Sequence, residues 1–137
     1  MLYTARAMPA LARKTSILVV EDDSDLRTMY RSALKAAGYE VIAVDDGVAA
    51  LRHLDADVPD AVVLDLGLPQ LDGRDVYREL AANPATAHVP IIIVTGTTLT
   101  DRDIDEFSCV LRKPLHVEAL IHEIEKCVRN AGSRLLS

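Results

Sequence analysis

The chain has 137 residues, half of them hydrophobic, and carries a formal net charge of −6. That length suits one domain with its own core, and the hydrophobic share excludes a disordered chain. The acidic balance argues against a nucleic-acid surface, and no apolar run approaches the ~20 residues needed to cross a bilayer.

Residues 1–14 read as an extension without a clear period, and Arg6 and Pro9 interrupt it before a signal-peptide core forms. Ser16–Val20 is a short apolar run followed at once by Glu21, Asp22 and Asp23, which predicts a buried strand ending in carboxylates. Asp23 or Ser24 can cap the next helix. Leu26, Met29, Tyr30, Ala33, Leu34 and Ala37 form its apolar stripe, and Gly38 ends it. Glu40–Val44 predicts another strand. Asp45, Asp46 and Gly47 form a turn before a helix through Val48, Leu51 and Leu54. The two acids of that turn read as solvated turn residues in preference to metal ligands.

Ala61–Leu64 runs straight into Asp65, and a loop with Gly67, Pro69 and Gly73 follows. Such an unbroken apolar run predicts a strand buried on both faces. Val76, Tyr77, Leu80 and Ala81 mark a helix that Asn83-Pro84 breaks. Ile91–Val94 predicts a strand ending at Thr95-Gly96-Thr97, and a short polar segment rich in Asp follows. Few apolar anchors place that segment at the low-stability end of the domain. Val110-Leu111 is the last strand and ends in Arg112-Lys113-Pro114. Val117, Leu120, Ile121, Ile124 and Val128 line the last helix, and the chain is expected to fray after Arg129. Residues 15–130 therefore read as one domain, with residues 131–137 as a tail. Strands alternating with helices predict a parallel sheet covered on both faces, with right-handed crossovers. The two cysteines, Cys109 and Cys127, lack metal-ligand spacing along the chain and read as reduced thiols of a cytoplasmic protein.

In a parallel sheet the C-terminal strand ends share one edge, which is where ligands bind. Glu21, Asp22, Asp65, Thr95 and Lys113 converge there. Crowded carboxylates resist joint ionisation, and a divalent cation removes that penalty. Hard oxygen donors favour Mg²⁺. Lys113 adds a positive charge and Thr95 a hydroxyl, so the set can hold a phosphoryl group in transfer. Asp65, alone on the central strand, is the candidate nucleophile. The pair Glu21 and Asp22 is better placed to hold metal. Gly67 lets a backbone carbonyl turn toward that metal, and Gly96 leaves space beside Thr95.

The segments Ile17–Asp23, Pro59–Gly73, Val89–Thr97 and Val110–Leu115 resemble the receiver domain of two-component response regulators, in its single-domain, CheY-like form. The resemblance covers about residues 15–130. It implies a doubly wound, flavodoxin-like, five-stranded parallel sheet of order 2-1-3-4-5, in three α/β/α layers. It also implies a role for each candidate: Asp65 as phosphoacceptor, Asp22 as direct Mg²⁺ ligand with Glu21 as its partner, Gly67 as a carbonyl ligand, Thr95 as the switch hydroxyl and Lys113 as the family's lysine. A cis Lys113-Pro114 bond is implied as well. This chain departs from the family in two places. Val110 stands where an aromatic residue is usual, and the segment from Thr95 to Lys113 is short by roughly 3.6 residues, one helical turn.

The resemblance implies a phosphoacceptor module, not a classical enzyme, though one with its own phosphorylation and dephosphorylation chemistry. The implied donor is a histidine kinase or a histidine phosphotransfer protein. A downstream protein partner would read the changed surface, with no nucleic acid and no membrane involved, and the chain would be a monomer or weak dimer. No output domain follows in the sequence, so readout is expected through protein contact or onward phosphate transfer. A Mg²⁺-dependent aspartyl-nucleophile phosphatase is the second reading; Gly67 counts against it, since such sites carry an acid two residues after the nucleophile. An inert interaction domain on the same fold is the third.

Overall fold

The protein is described from a computed structural model covering residues 13–136. The extension read over residues 1–14 lies outside the described residues, apart from Arg13 and Lys14. Five strands, β1 (Ser16–Val20), β2 (Glu40–Val44), β3 (Ala61–Leu64), β4 (Ile91–Thr95) and β5 (Val110–Arg112), form one parallel sheet in the order β2-β1-β3-β4-β5. The helices are α1 (Ser24–Ala36), α2 (Gly47–Ala56), α3 (Gly73–Ala82), α4 (Asp101–Glu106) and α5 (Val117–Leu136).

The central strands β1, β3 and β4 are almost wholly apolar because both faces of the sheet are covered there, while the edge strands β2 and β5 carry Glu40 and Arg112 at exposed positions. Side chains alternate across a strand, so β1 sends Leu18 and Val20 to one core and Ile17 and Val19 to the other. Val62 and Leu64 of β3, with Ile93 of β4, meet Ala50 and Leu54 of α2, Val76 and Leu80 of α3, and Phe107. On the opposite face Ala61, Val63, Ile92 and Val94 meet Tyr30 and Leu34 of α1 and Leu120 and Ile124 of α5. This is the three-layer, doubly wound arrangement expected from the alternation of elements.

The helix starts follow from acidic caps. Asp23, not Ser24, caps α1, and its carboxylate accepts from the amides of Asp25 and Leu26. Asp46 caps α2 through the Ala49 amide at 2.7 Å, which accounts for that turn acid without a metal. Asp72 caps α3 through the Arg74 amide at 2.8 Å. Gly38 holds φ +99° just after α1, in the left-handed region that favours glycine.

Two stretches differ from the sequence reading. α5 continues beyond Arg129 to Leu136, without fraying where the apolar stripe ends. Of the residues that follow, Ala131, Arg134, Leu135 and Leu136 are good helix formers, and no proline intervenes. The polar segment after β4 contains α4, whose anchor is a buried carboxylate. Asp103 is only 1% exposed. Its two oxygens accept from Arg74 Nε at 2.9 Å and Nη2 at 2.8 Å.

Candidate functional site

Each site residue sits at or just beyond a strand's C-terminal end, so the parallel sheet brings all of them to one edge. Glu21 and Asp22 follow β1, Asp65 follows β3, Thr95 closes β4 and Lys113 follows β5. Asp65 is 7% exposed, Glu21 2% and Thr95 fully covered, while Asp22 stays exposed. Lys113 ties the cluster together. Its Nζ donates to Glu21 Oε1 at 2.7 Å and to Asp65 Oδ2 at 3.3 Å. Glu21, Asp22 and Asp65 each present one oxygen within 4.8 Å of the other two. Four of the side chains named from the sequence are thus brought to one place, Thr95 lies on the same edge with its carbonyl accepting from the Lys113 amide at 3.0 Å, and the Lys113-Pro114 bond is cis.

Burial raises the carboxyl group of Glu21 to about 7, outweighing the Lys113 hydrogen bond and the Asp23 amide that pull it down; the charge of Asp65 adds to the rise. Burial would depress Lys113, but the Glu21 hydrogen bond and the Asp65 charge outweigh it, and its pKa is raised. The ammonium therefore stays charged inside the acidic cluster.

The backbone around the site is held by residues the sequence reading did not single out for it. The guanidinium of Arg27, one turn into α1, donates to the carbonyls of Glu21 at 3.0 Å and Asp22 at 3.3 Å. Gly73 is pressed against the candidate nucleophile's own backbone. A Cβ there would stand 2.2 Å from the Asp65 carbonyl oxygen and 2.6 Å from Leu66 Cα. Only glycine lets α3 begin this close to β3. Gly96 is different, since a Cβ there would lie 3.7 Å from Lys113 Cβ, an ordinary contact. Packing within the chain therefore does not require glycine at 96. The Gly67 amide donates to Asp65 Oδ1 at 3.2 Å, and the Thr97 amide donates to Thr95 Oγ1 at 3.0 Å. Arg112 holds the Gly96 and Thr97 carbonyls from β5. Arg27 reaches back over the turn before α1, and Arg112 reaches across the α4 segment, so neither contact has a periodic signature in the sequence. Gly73 was visible only as a loop glycine.

The family model of the response regulator receiver domain matches residues 17–125. The response regulator receiver protein CpdR of Brucella abortus is 33% identical over 114 residues, covering 80% of this chain and 93% of that protein. The transcriptional regulatory protein PrrA of Mycobacterium bovis is 32% identical over 125 residues, which cover 88% of this chain but only 53% of PrrA. The chain thus spans about half the length of that relative. Among solved structures, the receiver domain of a sensor histidine kinase from Pseudomonas aeruginosa is similar, with a TM-score of 0.77, 30% identity and coverage of 85% of this chain and 98% of that one. That structure has a magnesium ion coordinated in its active-site cleft.

Proposed function

The chain belongs to the response regulator receiver domain family, and from that premise we propose that it is the phosphoacceptor module of a two-component phosphorelay, with Asp65 as the residue phosphorylated. The observation that carries the reading is Lys113 Nζ lying between Glu21 and Asp65, at 2.7 and 3.3 Å. An isolated surface lysine has no cause to enter two buried carboxylates. One that must meet a phosphoryl group does.

In the proposed step an Asp65 carboxylate oxygen attacks the phosphorus of a phosphohistidine on a kinase or phosphotransfer protein. The new O–P bond forms as the P–N bond breaks, and the imidazole leaves with the electron pair of that bond. Lys113 follows the phosphoryl oxygens as a point charge. Thr95 already accepts from the Thr97 amide, so its own hydroxyl proton is available to a phosphoryl oxygen. The oxygens of Glu21, Asp22 and Asp65, with the Gly67 carbonyl, form a hard donor set suited to Mg²⁺. When bound, that ion neutralises charge on the transferring group. The magnesium in the similar Pseudomonas aeruginosa receiver supports this assignment. The same cluster would admit small phosphodonors and water, giving the domain its own phosphorylation and dephosphorylation chemistry. A downstream protein would read the phosphorylated surface, and the chain would act as a monomer or weak dimer.

Intact-mass measurement tests the reading. With Mg²⁺ and a small phosphodonor, the protein is expected to gain one phosphoryl group per chain, and Asp65→Asn to gain none. Labelling of Asp65→Asn at one per chain would overturn the assignment of the nucleophile. Sustained turnover of a phosphomonoester would favour the phosphatase reading.

A further inference from the structure

Cys109, Glu123 and Cys127 meet at the opposite, N-terminal edge of the sheet. Cys109 immediately precedes β5, while Glu123 and Cys127 lie one turn apart on α5, so the two helical residues share a face. Cys109 Sγ donates to Glu123 Oε2 at 3.0 Å, and Cys127 Sγ lies 4.0 Å from the same oxygen. All three donor atoms fall within 4.8 Å of one another. A tetrahedral site with bonds of about 2.0–2.3 Å has donor-to-donor edges of roughly 3.5–3.8 Å. The three side chains need only small adjustments to reach that spacing. They also line a cavity of about 320 Å³, whose wall includes His88 from the loop before β4.

We propose that Cys109, Glu123 and Cys127 form a second metal site, selective for a thiophilic divalent cation such as Zn²⁺. Three protein donors leave a fourth position open toward the cavity, where water completes the coordination. Two thiolates and a carboxylate select Zn²⁺ over Mg²⁺, which prefers oxygen donors only. The carboxylate shared by both thiols, whose other oxygen lies 3.9 Å from Lys126 Nζ, adds a third donor that a cation would use and a Cys109–Cys127 disulfide would not. A bound cation would fasten α5 to the edge strand β5. The site shares no residue with the phosphoryl cleft.

Co²⁺ titration of the full chain, kept reduced by a non-thiol reductant, tests this. One equivalent of Co²⁺ is expected to give a thiolate-to-cobalt charge-transfer band and tetrahedral d–d bands, and Zn²⁺ should displace both. Cys109→Ser and Cys127→Ser should each weaken the charge-transfer band, since one thiolate remains, and the double variant should abolish it. Each should also weaken Zn²⁺ by at least the roughly 10- to 100-fold that outer-shell partners alone contribute. Glu123→Gln should weaken Zn²⁺ while keeping the band. Asp65→Asn should bind Co²⁺ at this site like the parent. Using two cysteine variants guards against one that fails to fold, and the unfolding midpoint of each is measured alongside. Absence of a charge-transfer band in the parent would overturn the proposal, as would a band that is undiminished in Cys127→Ser. A two-hydrogen mass loss on mild oxidation, with no cobalt band in the reduced protein, would identify a redox pair and overturn it as well.

Discussion

Neighbouring acids in this chain do different work, because each is set by the backbone it meets. Asp22 faces the cleft from an exposed position, whereas Asp23 spends its carboxylate on the first amides of α1. Asp22→Ala should therefore cost most of the Mg²⁺ affinity and little stability. Asp23→Ala should retain Mg²⁺ binding and lose about 1 kcal/mol of stability, the usual worth of an N-cap. Calorimetric Mg²⁺ titration and urea unfolding of the two variants check this, and equal losses of Mg²⁺ affinity would show the pair misassigned. Glu21 adds a pH dependence. Its folded pKa is raised from 4.5 to about 7, so without metal its contribution to stability is present below about 4.5 and lost as the pH rises through about 7. Mg²⁺ requires the ionised form, so its binding must release a proton below that point. The observed Mg²⁺ affinity is expected to climb toward pH 7 and level off above it. Titrations in two buffers of different ionisation enthalpy count the protons; an affinity that is flat through that range would contradict the Glu21 assignment.

Among the elements, the strands were legible in the sequence and α4 was not, for a physical reason. A strand buried on both faces is apolar along nearly its whole length, so β1, β3 and β4 appear as apolar runs, each followed by or ending in a candidate site residue. That one constraint made Glu21, Asp22, Asp65 and Thr95 readable, with Lys113 after the shorter β5. α4 offers no such pattern. Its one large apolar residue, Ile104, is 62% exposed. The helix stands on a reciprocal cap, in which Thr100 Oγ1 accepts from the Asp103 amide and Asp103 Oδ2 accepts from the Thr100 amide. Further support comes from α3: the Arg74 fork on Asp103, and Tyr77, whose hydroxyl donates to the Glu106 carbonyl at 2.9 Å. Partners 29 residues away leave no periodic trace. The meeting of Cys109 with Glu123 and Cys127 escaped notice in the same way, because no linear spacing announces it. Arg74 holds the Asp103 carboxyl well below the usual carboxylate range, so the support of α4 is present at neutral pH and lost only in strong acid. Asp103→Ala should leave the Arg74 fork without its partner, costing about 1–3 kcal/mol. It should also raise amide exchange across residues 100–107 before the rest of the domain. Arg74→Lys should recover little, since lysine cannot make the two-pronged contact. Unchanged exchange in α4 of Asp103→Ala would remove the ion pair from the account of that helix.

At the scale of the whole molecule, the fold sets the acidic cluster and Lys113 on one sheet edge, and under the proposed function it must carry any change there to a surface. Two chains of contacts lead away from the site, one from Asp65 and one from Thr95. One runs through Gly73, packed on the Asp65 carbonyl, into the start of α3, where Arg74 grips α4. The other runs from Thr95 to Thr97 and the carbonyls held by Arg112. Both end in residues 97–108. The family's usual alternative is an aromatic residue on the fifth strand that swings behind the hydroxyl. Here that position is Val110, half-buried and paired with Ile93 in the sheet, and valine is stiff about χ1. The nearby aromatic, Phe107, is buried and packed edge-on against Tyr77 with centroids 4.8 Å apart, so it already occupies its inward position. Phosphorylation should therefore be read out as a shift of the α4 segment against α3, with no ring changing between buried and exposed. Hydrogen exchange with Mg²⁺, with and without a beryllium fluoride phosphoryl mimic, is expected to show altered protection across residues 97–108 and at the first turn of α3. Changes confined to the acidic loops, skipping 97–108, would refute this route. Fluorine-labelled Phe107 should keep a single buried environment on activation, and a second, exposed signal would show that an aromatic switch operates after all.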